Sequence, residues 1–408
     1  MQRYSNLIGF VCVICLGIGL FYGMSKATEE NHPHVKLQKL AGDDEHIKDV
    51  ILKETIQIAK NTNIDTTITK DKTSYQKVKD NWWINNERMS IDSSQSKIHE
   101  WQSKYRSFMR GKETMLNQYD ESSEELVYGN ILGESLFSSS KNKFDIAVLN
   151  KKTKESHAFQ LPLTEISGDE MVHVEQVYRD GEELQMIVQR ESLNGGKNKN
   201  TVTVYTFDLK KEKLVNQQEI AAFETENTNQ YTVISVIPKM QEKERTSYAV
   251  IEEQKYSEES IDGEALPKAN YILYDYKTKE AKTLDVPESK LTDEDMYMYN
   301  NILYRHVSSD EKNQIEKINI KTNEREKIDL SLERYDQENH DIFMKRIGER
   351  LFIYEKDNRH EQPTLSKDVL HVIDDQTGEL LYKGKIVQTD ETFKNENVVL
   401  NLQEIATE

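Results

Sequence analysis

Along most of the chain, apolar and polar residues alternate with a period of two in short runs, separated by clusters of Asp, Asn, Gly, Thr, Lys and Glu. In an extended segment this alternation turns one face to a core and the other away from it, so the runs predict β-strands. The clearest succession is Met171–Tyr178, a turn at Asp180-Gly181, Leu184–Arg190, a loop at Asn194-Gly195-Gly196, Val202–Phe207 and Leu214–Ile220. Four strands with short connections fill roughly 50–55 residues.

That unit recurs. A strand ending in Asp or Asn, followed by a few polar residues and a second strand, stands at Val148–Glu155, Leu273–Glu280, Lys317–Glu324 and Val372–Glu379. Thr206–Lys211 is a fifth copy, and Ser90–Gln95 a degenerate sixth. The anchors are Asp92, Asn150, Asp208, Asp275, Asn319 and Asp374, spaced by 58, 58, 67, 44 and 55 residues. Asp and Asn suit this place because their side chains bond their own backbone two residues on and close a turn. A second element supports the repeat: Gly133-Glu134-Ser135-Leu136, Gly181-Glu182-Glu183-Leu184 and Gly348-Glu349-Arg350-Leu351 each open a strand, and Asn301-Ile302-Leu303-Tyr304 is a glycine-free version. Chance predicts about 0.1 such glycine tetrads.

Repeated four-stranded units of this length are the signature of a β-propeller, and residues 74–403 resemble extracytoplasmic β-propeller proteins in architecture. No WD, kelch or quinoprotein signature accompanies the resemblance. The expected fold is all-β, a propeller-like ring of about six four-stranded units. An irregular β-sandwich or two antiparallel β-domains is the alternative. Val398–Leu402 alternates like a strand able to pair back into the first unit. Residues 47–73 form an extension read in two ways, as a hairpin around Asn61-Thr62-Asn63 or as a helix over Asp44–Lys60. Residues 404–408 are a short tail.

At the other end, Leu7–Met24 is an uncharged run of 18 residues behind Arg3, long enough as a helix to reach about 27 Å, close to a bilayer core. Residues 1–27 thus predict a signal-anchor, or a signal peptide cleaved near Ala27, and either exports the body. The expected location is the cell membrane, single-pass, with the body extracytoplasmic, or secreted after cleavage. Residues 28–46 are polar and without apolar period, and read as a stalk; His32-Pro33-His34 within it reads as surface histidine.

Composition narrows the chemistry. The only cysteines, Cys12 and Cys15, lie in the apolar run, which leaves the body without a disulfide, a thiolate metal site or a cysteine nucleophile. Arg3 and Lys26 are the only charges before Glu29, so residues 28–408 carry −20 of a total of −18. Such an acidic body argues against nucleic acid as a partner. No phosphate loop, His-Glu-x-x-His, Gly-x-Ser-x-Gly or EF-hand pattern occurs. Ser94–Lys97 and Ser138–Lys141 match Ser-x-x-Lys but read as surface hairpin segments. Acidic clusters at Asp120–Glu125, Glu258–Glu264 and Asp293–Asp295 read as solvated loops. Trp82, Trp83 and Trp101 read as packing residues near the start of the ring.

In a propeller the first strand of each unit lines the central channel. The candidates are Met171–Tyr178, Tyr231–Ile237, Asp295–Asn300 and Ile342–Arg346. Alternation places His173 and Glu175 on one face, Tyr297 and Tyr299 on another, and Lys345 with Phe343 on a third, and these are the expected ligand-binding positions. No cofactor or metal is implied. The expected function is a membrane-tethered binding protein without catalysis, whose partner is a protein or envelope ligand. The alternatives are an enzyme acting on an envelope glycan through carboxylates, and a sensor or regulatory subunit of a membrane complex.

Overall fold

A computed structural model of the chain describes residues 32–58, 62–77, 93–133, 142–163, 170–194, 197–225, 231–237, 246–256, 268–286, 296–308, 313–330, 340–357, 368–389 and 398–407. The leader, Trp82, Trp83, the anchor Asp92, Ser138–Lys141, Glu258–Glu264 and Asp293–Asp295 lie outside them. Among the described residues no helix is long and apolar enough to cross a membrane.

The chain is β-propeller-like: its strands form six up-and-down antiparallel sheets, each with a core of four. It divides into two compact units, residues 1–89 with 336–408, and residues 90–335. The first unit contains β1 (Val35–Gly42), β2 (Val50–Ile58), β3 (Thr62–Ile68) and β4 (Thr73–Lys77). The second carries helices α1 (Ser93–Lys104) and α2 (Arg106–Met109) and four sheets. These are β5 (Tyr119–Glu121) to β8 (Ser156–Pro162), with β6 (Glu125–Leu132) and β7 (Lys143–Asn150) between, and β9 (Glu170–Asp180), β10 (Glu183–Asn194), β11 (Lys197–Asp208) and β12 (Lys213–Thr225). The third is β13 (Tyr231–Ile237), β14 (Tyr248–Tyr256), β15 (Lys268–Asp275) and β16 (Glu280–Leu284), and the fourth β17 (Met296–Tyr299), β18 (Ile302–Ser308), β19 (Asn313–Asn319) and β20 (Arg325–Leu330). The chain then re-enters the first unit with β21 (His340–Ile347), β22 (Arg350–Asp357), β23 (Val369–Asp374), β24 (Leu380–Gln388) and β25 (Val398–Thr407).

The repeat read from the sequence is a repeat of turn chemistry. The side-chain oxygen of Asn150, Asp208, Asp275, Asn319 and Asp374 accepts from the backbone N–H groups two and three residues on, at 2.7–3.3 Å. Four residues past each anchor, Lys154, Glu212, Lys279, Asn323 and Gly378 take φ of 50–74°, the left-handed conformation that reverses the chain into the fourth strand. The residue after each anchor then donates its N–H to the turn between the first two strands. Lys151 bonds the carbonyl of Glu124, Leu209 that of Glu182, Tyr276 that of Ser247, Ile320 that of Asn301 and Asp375 that of Glu349, at 2.8–3.0 Å. In the β9–β12, β17–β20 and β21–β24 sheets the two recurring motifs therefore sit at one end and hold each other. Gly181 and Gly348 occupy the left-handed position of that first turn, at φ 59° and 64°. Gly133 does not; it follows β6, a second strand.

The N-terminal assignments change. The sixth sheet is not built on Asp92, which immediately precedes α1, but has the order β25-β2-β3-β4. Residues 47–73 hold β2, β3 and the start of β4, with β2 antiparallel to β3, and Asp44–Ile47 forms one 3-10 turn. Val398 pairs with Ile58 and Thr407 with Val50, so the C-terminal segment supplies the first strand, and the tail at 404–408 belongs to it as far as Thr407. The proposed stalk carries β1, a fifth strand on β24, with Val35 opposite Gln388. Its polar pattern is that of an edge strand with one solvated side, which a search for apolar period does not detect. His32 and His34 pack on the Tyr75 ring at centroid distances of 4.2 and 5.5 Å.

Apolar cores lie between successive sheets within each unit. In the first unit Leu52, Ile56, Tyr354, Leu370, Val372 and Leu400 form one. In the second, three further cores join the four sheets in order, and Ile98, Trp101, Phe108 and Met109 of the helices cover the β5–β8 sheet.

Candidate functional site

In the 90–335 unit the first strands of the sheets are neighbours in sequence order, β5 against β9, β9 against β13 and β13 against β17. Four of the five predicted site residues lie on this face, on β9 and β17. Lys345 belongs to the other unit, half-buried on β21 opposite Phe352.

Glu175 occupies a special place on β9. Val174 pairs with Val188 and Gln176 with Ile187, so Glu175 is the extra residue of a β-bulge and has no cross-strand partner. The bulge resets the alternation. Val174 and Val177 both reach the core against β5–β8, while Tyr178 enters the core against β13–β16. Gln176 takes the same side, where its side-chain oxygen accepts from the Tyr276 hydroxyl at 2.8 Å. Glu175 is left at the free edge, half-buried. Burial raises its carboxyl above the ordinary value, and among the described residues no charged neighbour contributes to the shift. A desolvated acid without a counter-charge favours its neutral form, and bulges recur where a side chain is re-aimed beside a site. His173 is exposed two residues upstream, about 7 Å along the strand. On β17, Tyr297 is buried and Tyr299 half-buried; their rings stack at 6.5 Å with an interplanar angle of 17°.

The acidic cluster Asp120–Glu125 is not a loose loop. It borders a surface cavity of about 150 Å³ lined by Asp120, Ser122, Glu125, Val127, Arg179 and Gly181, but its carboxylates are engaged. Asp120 accepts from the Arg179 backbone N–H at 2.6 Å, and Glu125 pairs with the Arg179 guanidinium. Glu121 takes Lys151 at 2.5 Å, Lys97 at 2.8 Å and the Trp101 indole N–H at 3.1 Å. Burial pushes the Glu121 carboxyl up, and the two lysines outweigh it and leave the pKa lowered. Lys97 itself stands on α1, so Ser94–Lys97 is helical and not the hairpin segment expected. Among the described residues, no group of three or more His, Cys, Asp or Glu side chains is placed to hold a metal.

The sequence reading passed over several buried ionisable groups. Arg305 and Glu316 pair at 2.7 Å with both side chains sealed from solvent. Burial lowers the Arg305 pKa, with Glu316 opposing. Close by, the Tyr271 hydroxyl donates to Glu252 at 2.9 Å. In the other unit Glu54 interrupts the buried stripe Leu52, Glu54, Ile56 of β2. A signal was present for each: Glu or Arg at an inward position of a period-two pattern.

No family model matches the chain, and no curated protein does. Solved structures similar to it include a Synechocystis apocarotenoid oxygenase mutant, at 7% identity and a TM-score of 0.46, with 93% of this chain and 97% of that one covered. An apocarotenoid oxygenase/RPE65 chimera matches at 6% and 0.46, over 92% and 97%. An acylaminoacyl peptidase of Pyrococcus horikoshii matches at 9% and 0.33, over 89% of this chain and 47% of its own. These neighbours are enzymes by name, which does not agree with the expected non-catalytic binding protein, and that expectation is not carried further. At such identities and TM-scores they carry no substrate, cofactor or residue role to this chain.

Proposed function

We propose that the protein is an enzyme of β-propeller-like fold, exported and held at the membrane by Leu7–Met24, that cleaves a glycan or related cell-envelope polymer, with Glu175 as proton donor. The observation that carries this reading is the Glu175 carboxyl, left out of register by a bulge on a first strand and biased by burial toward its protonated form. A carboxyl biased toward its neutral form can give its proton to the departing sugar oxygen while water forms the new bond at the anomeric carbon and loses its proton to solvent or a second base, the task of the general acid in glycoside hydrolysis. His173 is the nearest titratable group along the same strand, and Tyr299, half-buried on β17, is a partly open aromatic ring of the kind that amphipathic rings dock on.

The test is release of reducing ends from purified envelope polymers by the full-length protein, compared with Glu175→Gln. Removing a general acid costs on the order of 10²–10⁴ in rate, and the wild-type rate falls as pH rises through the raised Glu175 pKa because the active form is the protonated one. Absence of turnover on every polymer, or an unaffected Gln variant, sinks the proposal.

A further inference from the structure

In the unit formed by residues 1–89 and 336–408, three ionisable side chains meet inside the apolar core between the β21–β24 sheet and the β2–β4 sheet. Glu54 comes from β2, Tyr354 from β22 and Asp368 from the residue before β23, at relative exposures of 1%, 0% and 0%. The Tyr354 hydroxyl lies 2.8 Å from Asp368 Oδ2 and 3.1 Å from Glu54 Oε1. A phenol has one hydrogen to donate, and ionised carboxylates only accept. Tyr354 can satisfy one of the two; the other contact is a hydrogen bond only if that carboxyl carries a proton and donates to the phenol oxygen.

We infer that Glu54, Tyr354 and Asp368 form a proton-dependent clasp between the two sheets of this unit, closed while Glu54 is protonated and strained when it ionises. The shorter contact assigns the Tyr354 hydrogen to Asp368 and the extra proton to Glu54. Oε2 of Glu54 is buried with no hydrogen-bond partner, which is tolerable for the carbonyl of a neutral acid and costly for an anion.

The surroundings agree. Burial, then Asp368, push the Glu54 pKa up to about 8; the Tyr354 contact and the more distant Lys356 only partly oppose them. Lys356 is occupied by Asn401 of β25 at 2.8 Å. Glu404 of β25 is held by Lys53 at 2.7 Å, and Asp65 of β3 takes the Thr55 hydroxyl at 3.3 Å. His371 of β23 pairs with Glu355 of β22 at 3.2 Å, on residues of the face opposite Tyr354. Among the described residues no cation is therefore placed to neutralise an ionised Glu54 directly. The Tyr354 pKa is raised far above the ordinary value by burial and by the two acids, so the phenol keeps its hydrogen throughout.

The experiment uses the full-length protein and Glu54→Gln, whose amide can donate to the phenol at any pH. Melting temperatures are measured from pH 5 to 9, with amide exchange on β2 and β22 and on β10 and β11 as control. The melting temperature of the variant minus that of wild type is expected to grow by several degrees from about pH 5 to 8 and then level. Wild-type β2 and β22 amides lose protection over the same range while β10 and β11 show no difference. As a readout that needs no variant, wild type at pH 7 is expected to show the infrared carbonyl band of a protonated buried carboxyl, lost as pH rises past about 8. Parallel melting curves, or no protonated-carboxyl band at pH 7, overturn the inference.

Discussion

Single residues account for much of the regularity in this chain. The anchors are the clearest case, since each replaces a missing backbone acceptor at a turn with its own side-chain oxygen and thereby fixes where the fourth strand begins. Asn319 accepts from Lys321 and Thr322 at 3.0 and 3.2 Å. Asn319→Ala deletes both bonds and leaves the turn to its backbone alone, at a cost of about 1 kcal/mol, read as a lower denaturant midpoint at unchanged slope. The same reasoning with the opposite outcome applies to Glu54. Its folded-state pKa is raised to about 8 from 4.5, so its contribution is whole below pH 4.5 and is lost as pH rises toward 8, at about 1.4 kcal/mol per pH unit. The ordinary carboxylate in an ion pair behaves in reverse, as Asp49 does, its pKa lowered by the bidentate contact with Arg350 at 2.8 Å.

At the scale of elements, alternation reliably announced strands with one buried face and failed at both kinds of exception. The four strands read between Met171 and Ile220 correspond to β9–β12 with boundaries moved by a few residues. β1 carries no apolar period because an edge strand buries so little, and α1 begins within a segment, Ser90–Gln95, that imitates a hairpin anchor. The pairing of β25 with β2 joins segments more than 300 residues apart in sequence, and its strength is testable. Leu400 is wholly buried in the core of the first unit, so Leu400→Ala should cost roughly 2–5 kcal/mol, visible as a large fall in melting temperature. A change of under 1 kcal/mol would mean that β25 is not part of a cooperative sheet. The bulge at Glu175 is the other element-scale event. One extra residue lets β9 send Val174 and Val177 to one core and Gln176 and Tyr178 to another, and it exposes an acid at the strand edge in consequence.

At the scale of the whole chain, the apolar run Leu7–Met24 precedes an acidic, β-rich remainder, and the charge of −20 on residues 28–408 suits solubility. Export is part of the proposed function and makes a direct prediction. Protease added to intact cells should remove the body while leaving a membrane-bound fragment that contains Leu7–Met24; full protection of the body would reverse the orientation. A polymer-cleaving role also requires the first-strand face of residues 90–335 to be reached by substrate. Glu175→Gln should therefore lower turnover by about 10²–10⁴ without lowering the melting temperature, since the amide replaces a carboxyl whose ionisation burial disfavours.

The sequence by itself determined the strands, the fourfold unit and the five turn anchors, because alternation and Asx-turn chemistry act between residues only a few positions apart. It also marked Glu175, Tyr297 and Tyr299 as first-strand positions, by counting from those turns. Tertiary structure alone decided what no local rule encodes. It chose β2 as the partner of the C-terminal strand whose return the alternation at Val398–Leu402 had suggested, turned the supposed stalk into an edge strand, and inserted a bulge that takes Glu175 out of register. It also brought Glu54 and Asp368, 314 positions apart in the chain, onto one phenol. Each depends on which faces meet between sheets, and burial at that meeting, not the residue's own chemistry, sets whether a carboxyl is a solvated charge or a held proton.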